Sequence, residues 1–144
     1  LNIALPAAVA HSANYVPARR SGSFVYIAGQ VPTADGPAPY DGHVGLDITI
    51  EEAQKAARLC AINILAQLRN ALGGSLDAVV GCVRLGGFVN ATPEFRDHPK
   101  VINGASDLMV AVFGDAGRHA RAAVGCNSLP RNVAVEVEAI FEVE

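Results

Sequence analysis

The sequence predicts an α+β fold: one sheet with two helices packed on one face, in a single domain over residues 1–144. Three observations carry this. A capped, amphipathic helical pattern follows the first strand, and a second, shorter helical pattern separates two later β-runs. The closing segment, VAVEVEAIFEVE, alternates strictly between apolar and polar side chains, which marks a strand with one buried face. The order strand, helix, strand, helix, strand, strand supplies both helices to a single sheet. Its other face must then be buried elsewhere, and a second subunit is the expected cover.

Taken in order, residues 23–28 (SFVYIA) are β-branched and aromatic enough for a strand, closed by GQVP. The following TADGPAPYDGHVG is dense in Gly, Pro and Asp and predicts a long loop. Gly22, Gly29, Gly36 and Gly45 form no GxGxxG or Walker spacing and read as turn glycines. Thr49 with Glu52 forms a capping box for a helix over 49–72, whose inward face is Ala53, Ala57, Cys60, Ile64, Leu68 and Ala71; Gly73-Gly74 ends it. A strand follows over 79–89, where Gly86-Gly87 predicts a bulge or a close approach by another element. Residues 101–113 predict the second helix, with Leu108, Met109, Val112 and Phe113 inward and Gly114 as its stop. Strands over 120–126 and 133–143, joined by NSLPRN, complete the chain.

Composition narrows the function. With 51% hydrophobic and 17% charged residues the chain has the means for a full core and a buried interface, so disorder is excluded. The eleven Lys and Arg are scattered and the net charge is −3, so no basic stripe exists to neutralise a phosphate backbone and nucleic acid is a poor partner. Three cysteines, Cys60, Cys82 and Cys126, without CxxC spacing predict neither a disulfide framework nor a zinc ribbon and fit a reducing cytoplasm. The N-terminal LNIALPAAVA lacks a basic start and is interrupted by Pro6, and no apolar run is long enough for a membrane span. A cytoplasmic protein is expected.

The chemistry concentrates near the C-terminal third. On the last strand Glu136 and Glu138 share the face opposite the valines, either wetted by solvent or held in a pocket by partners. In GDAGRHARAAVGCNSLP, Arg121 lies two residues from His119 and is followed on its own face by Ala123 and Gly125. Space beside a guanidinium describes an anion pocket, since the planar fork binds a carboxylate bidentately; a rim or interface salt bridge to a glutamate is the alternative. Cys126 falls on the opposite face and reads as a small core residue. His11, His43, His98 and His119 show no metal-ligand spacing, so no metal site is expected.

The segments GSFVYIAGQVP, EEAQKAARLCAINILAQL, GFVNATPEF, VINGASDLM, HARAAVG and SLPRNVAVEVEAI follow one another in an order that resembles the RidA/YjgF family, also called L-PSP endoribonuclease-like. The match spans nearly the whole chain and is nearest to the branch with a Gly-Arg-His-Ala-Arg segment and no assigned function. The resemblance implies a chorismate-mutase-like mixed sheet with two helices on one face. It also implies a homotrimer whose sheets form a central barrel, with active sites in the three clefts between subunits. The implied activity is hydrolysis of reactive enamines and imines to the 2-oxo acid and ammonia, without a cofactor. A trimer that binds small carboxylates without turnover, and an endoribonuclease, are the alternatives. On this resemblance Arg121 takes the substrate carboxylate and Glu136 holds the attacking water. Tyr15, Ala28, Gly29, Gln30, Asn103, His119 and Ala123 line the same cleft. Ala28 stands where the deaminases have Ser and Ala123 where they have Cys, so two polar contacts to substrate or water are missing, and the RDHPKVING segment is an insertion beside Asn103.

Overall fold

In the computed structural model, which describes residues 1–9, 13–34 and 40–144, the chain runs β1 (Ala18–Ser21), β2 (Phe24–Gln30), α1 (Ile50–Ala71), β3 (Val79–Asn90), α2 (His98–Phe113), β4 (Ala120–Cys126) and β5 (Val135–Val143). Short 3-10 turns occupy Gly114–Gly117 and Pro130–Asn132. The five strands form one mixed sheet in the order β1-β2-β5-β3-β4, parallel only between β3 and β4, with α2 as the crossover joining that pair. A parallel pair needs such a crossover because the chain must return to the same end of the sheet.

The core lies between one sheet face and the two helices. On β5, Val135, Val137, Ala139, Phe141 and Val143 are buried while the residues between them are partly exposed, the alternation expected from the sequence. Each buried Val or Phe contributes about 1.5–3 kcal/mol through surface removed from water. Opposite them stand Cys60, Ile64 and Leu68 of α1 and Val101, Ile102, Ala105, Leu108 and Met109 of α2. The capping box forms as expected: Thr49 Oγ1 accepts from the Glu52 N–H at 3.1 Å, and Glu52 Oε1 accepts from the Thr49 N–H at 3.2 Å. Gly104 lets the helices touch, since a β-carbon there would collide with the Gln54 backbone.

Two elements differ from the expectations, and at Gly86-Gly87 the structure selects between the two alternatives. β1 was not foreseen, because ARRS has no apolar alternation; its pairing, Ala18 with Ile27 through Ser21 with Phe24, holds it in the sheet. α2 starts at His98 rather than 101, with Pro99 in its first turn, where a missing N–H costs nothing, so the RDHPKVING insertion is largely helix. β3 passes through Gly86-Gly87 in regular register; its irregularities lie at Val79/Gly81 and Cys82/Arg84. Gly87 instead serves a close approach, since a β-carbon there would lie 2.5 Å from Ile102 Cδ1. Lastly, β4 pairs with β3 and not with β5, which sits in the middle of the sheet. Of the long loop, residues 35–39, including Gly36, lie outside the described residues, while Asp41 bridges to Val133 and Val44 to Ala91. Among the described residues no helix is long and apolar enough to cross a membrane.

Candidate functional site

β4 is an edge strand of small residues, so its one long side chain, Arg121, has room on the helix side of the sheet. There its Nη1 donates to Ser106 Oγ at 3.0 Å and its Nη2 to the Pro99 carbonyl at 3.2 Å, both partners belonging to α2. Ser106 Oγ lies 2.8 Å from His119 Nε2, and His119 Nδ1 lies 2.6 Å from the Gly117 carbonyl. A carbonyl oxygen only accepts, so Nδ1 carries a proton; in the singly protonated ring this leaves Nε2 to accept the Ser106 hydroxyl proton. Among the described residues of this one chain no carboxylate lies within ion-pair distance of Arg121. Ala123 and Gly125 continue the same face, and the His98 imidazole lies over Gly125, where a β-carbon would come 2.5 Å from Nε2. Asn103 is exposed on α2, one turn before Ser106.

A second group forms on the opposite, helix-free face. The β-bulge between Ile27 and Gln30 presents Gly29 to β5, and the Glu136 carboxyl lies directly against it, in space that any β-carbon would fill. Burial first, and the neighbouring Glu138 charge second, raise the Glu136 carboxyl above its ordinary value. Glu138 itself pairs with Arg84 at 3.3 Å. Both glutamates are therefore partly buried and held, not freely wetted. The Ala28 N–H donates to the Pro17 carbonyl at 2.9 Å, and the Ala28 carbonyl accepts from Gln30 Nε2 at 3.0 Å, tying the bulge to the segment that carries Tyr15. Tyr15, Gly29, Gln30, Thr33 and Arg131, with Gln67 of α1, line a cleft of about 570 Å³ that reaches round to the helix side, and Glu136 is not part of its lining. Arg131 and Asn132 reach its rim in the left-handed region, at φ 56° and 61°. Asn90, fully buried, braces that turn from beneath through Asn132 Oδ1 at 3.3 Å and the Val133 carbonyl at 3.2 Å.

The sequence-predicted residues thus fall into two half-sites: His119, Arg121, Ala123 and Asn103 in one, Tyr15, Ala28, Gly29, Gln30 and Glu136 in the other. Arg121 is level with Leu85 of β3 and Glu136 with Phe88, on strands two apart and on opposite faces. At ordinary strand spacing this puts their α-carbons roughly 14 Å apart, beyond the reach of one small acid. Ser106, Asn90 and Arg84 were missed; Ser106 was legible, because it lies within the expected 101–113 helix one turn after Asn103. Cys126 does face away from Arg121 but is only half-buried, at the strand end, so it is not core; its thiol, raised mainly by burial, lies 3.4 Å from the Val89 carbonyl. Cys60 and Cys82 are buried, the latter thiol pushed up to about 12 by burial. His11 lies outside the described residues. His43 lies 3.0 Å from the Asn127 carbonyl, and among the described residues no three His, Cys, Asp or Glu side chains cluster as metal ligands.

Comparison with known proteins matches residues 1–143 to the family model described as "YjgF/chorismate mutase-like, putative endoribonuclease". Protein TCP17 of Trypanosoma cruzi is 46% identical over 144 residues, covering 99% of this chain and 89% of that protein. The crystal structure of Atu1372 from Agrobacterium tumefaciens, a protein with unknown function, superposes with a TM-score of 0.93 at 48% identity, covering 99% of this chain and 87% of that one. The YjgF gene product of E. coli shares the fold at a TM-score of 0.68 and 23% identity, covering 94% of this chain and 92% of that one.

Proposed function

Because the chain belongs to the YjgF/chorismate mutase-like family, we propose that it hydrolyses small reactive 2-imino and enamine acids to the 2-oxo acid and ammonia, in clefts between the subunits of a homotrimer. The observation that carries this is Arg121: a half-buried guanidinium braced by a hydroxyl and a carbonyl, with no carboxylate of its own among the described residues. Such a group is matched to a ligand carboxylate. Glu136, its carboxyl raised above the usual carboxylate range by burial and then by Glu138, suits proton transfer. The separation of the two half-sites argues for a shared site, with Arg121 of one subunit meeting Glu136 of the next. The apolar helix-free face, where Tyr26 and Val124 are each 46% exposed, gives the sheets a surface on which to associate.

An iminium carbon is already electrophilic, so positioning suffices. An enamine first takes a proton at C3 to become the iminium. Arg121 clamps the carboxylate; Glu136 accepts a proton from water as its oxygen bonds to C2 and the C=N π pair moves to nitrogen. Glu136 then returns the proton to that nitrogen and takes up the proton of the new hydroxyl as the C–N bond breaks, so ammonia leaves as the C=O bond forms. Ala28 and Ala123 offer no polar contact here, and this specifically favours a second reading, carboxylate binding without turnover.

The experiment generates 2-aminoacrylate and bulkier imino acids in situ and follows 2-oxo acid release with wild type, Arg121→Ala, Glu136→Gln and an equal mixture of the two variants refolded together. Shared sites restore about a quarter of wild-type activity in the mixture, since half the sites carry an intact Arg and half of those an intact Glu. No restoration places the site within one chain, and no acceleration by wild type rejects the enzyme in favour of carboxylate binding.

A further inference from the structure

We propose that Ser106 and His119 are positioning residues that set the polarity of the Arg121 anion site. This rests on the carboxylate reading of Arg121 given above.

Four groups stand in one chain: Arg121 Nη1, Ser106 Oγ at 3.0 Å, His119 Nε2 at 2.8 Å from that hydroxyl, and the Gly117 carbonyl at 2.6 Å from Nδ1. The Gly117 carbonyl is fixed, buried in the turn after α2, where a β-carbon on Gly117 would strike the Met109 backbone. Because it can only accept, it holds the proton on Nδ1, and Nε2 must then accept from the serine. The Ser106 hydroxyl proton is thereby turned away from Arg121, leaving a lone pair as all that Ser106 offers the guanidinium. Without His119 the hydroxyl is free to rotate its proton toward Arg121, where it opposes the guanidinium instead of accepting from it. The ring thus acts through the serine, and the serine through the arginine. The Pro99 carbonyl takes Nη2 and fixes the plane of the fork against rotation.

The test titrates pyruvate, a small 2-oxo carboxylate, into the full chain by calorimetry and records ¹⁵N spectra of His119 and of the Arg121 guanidinium. In wild type the expected spectrum has a protonated Nδ1, a bare accepting Nε2 and slowed guanidinium proton exchange. Ser106→Ala and His119→Phe each weaken pyruvate about tenfold, the scale of one hydrogen bond to a charged group. Ser106→Thr restores most of that, and the double variant is no weaker than either single one, because the two residues act as one unit. Pyruvate bound at wild-type strength by Ser106→Ala, or losses that simply add, overturns the relay. So does a His119 ring protonated on Nε2 alone in wild type, a readout that requires no variant to fold. If Arg121→Ala binds pyruvate as wild type does, or wild type binds none, the carboxylate reading itself fails, and the relay is then judged on the spectra alone.

Discussion

Replacing Arg121 with alanine separates what the side chain does for the fold from what it does for a ligand. Its partners in the fold are a serine hydroxyl and a backbone carbonyl, both near the surface of an edge strand, and water replaces the guanidinium for each. The stability cost is therefore about 1 kcal/mol, a fall in Tm of about 2–4 °C for a chain this size. The cost to a bound carboxylate is larger, about 3–5 kcal/mol, because the ligand charge is left in a cleft without its counter-ion. That corresponds to a drop in kcat/KM of about 150- to 5,000-fold. The assay pairs steady-state imino-acid hydrolysis with thermal unfolding of the same preparation. Activity within a few-fold of wild type would refute the assignment; so would a Tm collapse that accounts for the loss as unfolding.

Glu136→Gln tests the raised carboxyl. A carboxyl with its folded value above the unfolded one contributes stability that is complete below the unfolded value and is lost as pH rises through the folded one. The variant should therefore unfold at a higher temperature than wild type at pH 7, with the advantage vanishing in acid, and should lose imino-acid turnover throughout; a Tm difference independent of pH would contradict this. Gly104→Ala places a β-carbon against the Gln54 backbone, which cannot swing aside as a side chain can, so it should cost about 3 kcal/mol, read as a fall in the urea midpoint. Thr49→Ala removes the α1 cap and should cost about 1 kcal/mol in the same titration.

What the sequence discloses depends on how local the cause is. The α1 cap, the β5 alternation and the limits of β4 rest on neighbours within a few residues, and the structure has them where periodicity puts them. β1 exists through its partner strand, so ARRS alone carries no trace of it. The first turn of α2 was legible, because Pro99 two residues after Asp97 is a helix start. Strand order was legible in part, because a β-run, a helix and another β-run imply a parallel pair, whereas the insertion of β5 between β2 and β3 is settled only by packing. The anion pocket at Arg121 was legible from its small neighbours, whereas the water-holding role of Glu136 came from the resemblance, and their division between opposite faces follows from the alternation of each strand.

The two ends of the sheet are not equivalent. β1 is four residues long and carries Arg19 and Arg20, both exposed, a charged and abbreviated border of the kind that discourages a further strand. β4 is seven residues of mostly small side chains with a regular backbone and no charge except Arg121, which turns toward α2. One border is guarded and the other is open, so growth of the sheet by a strand from another molecule, whether in an ordered assembly or in an aggregate, begins at β4.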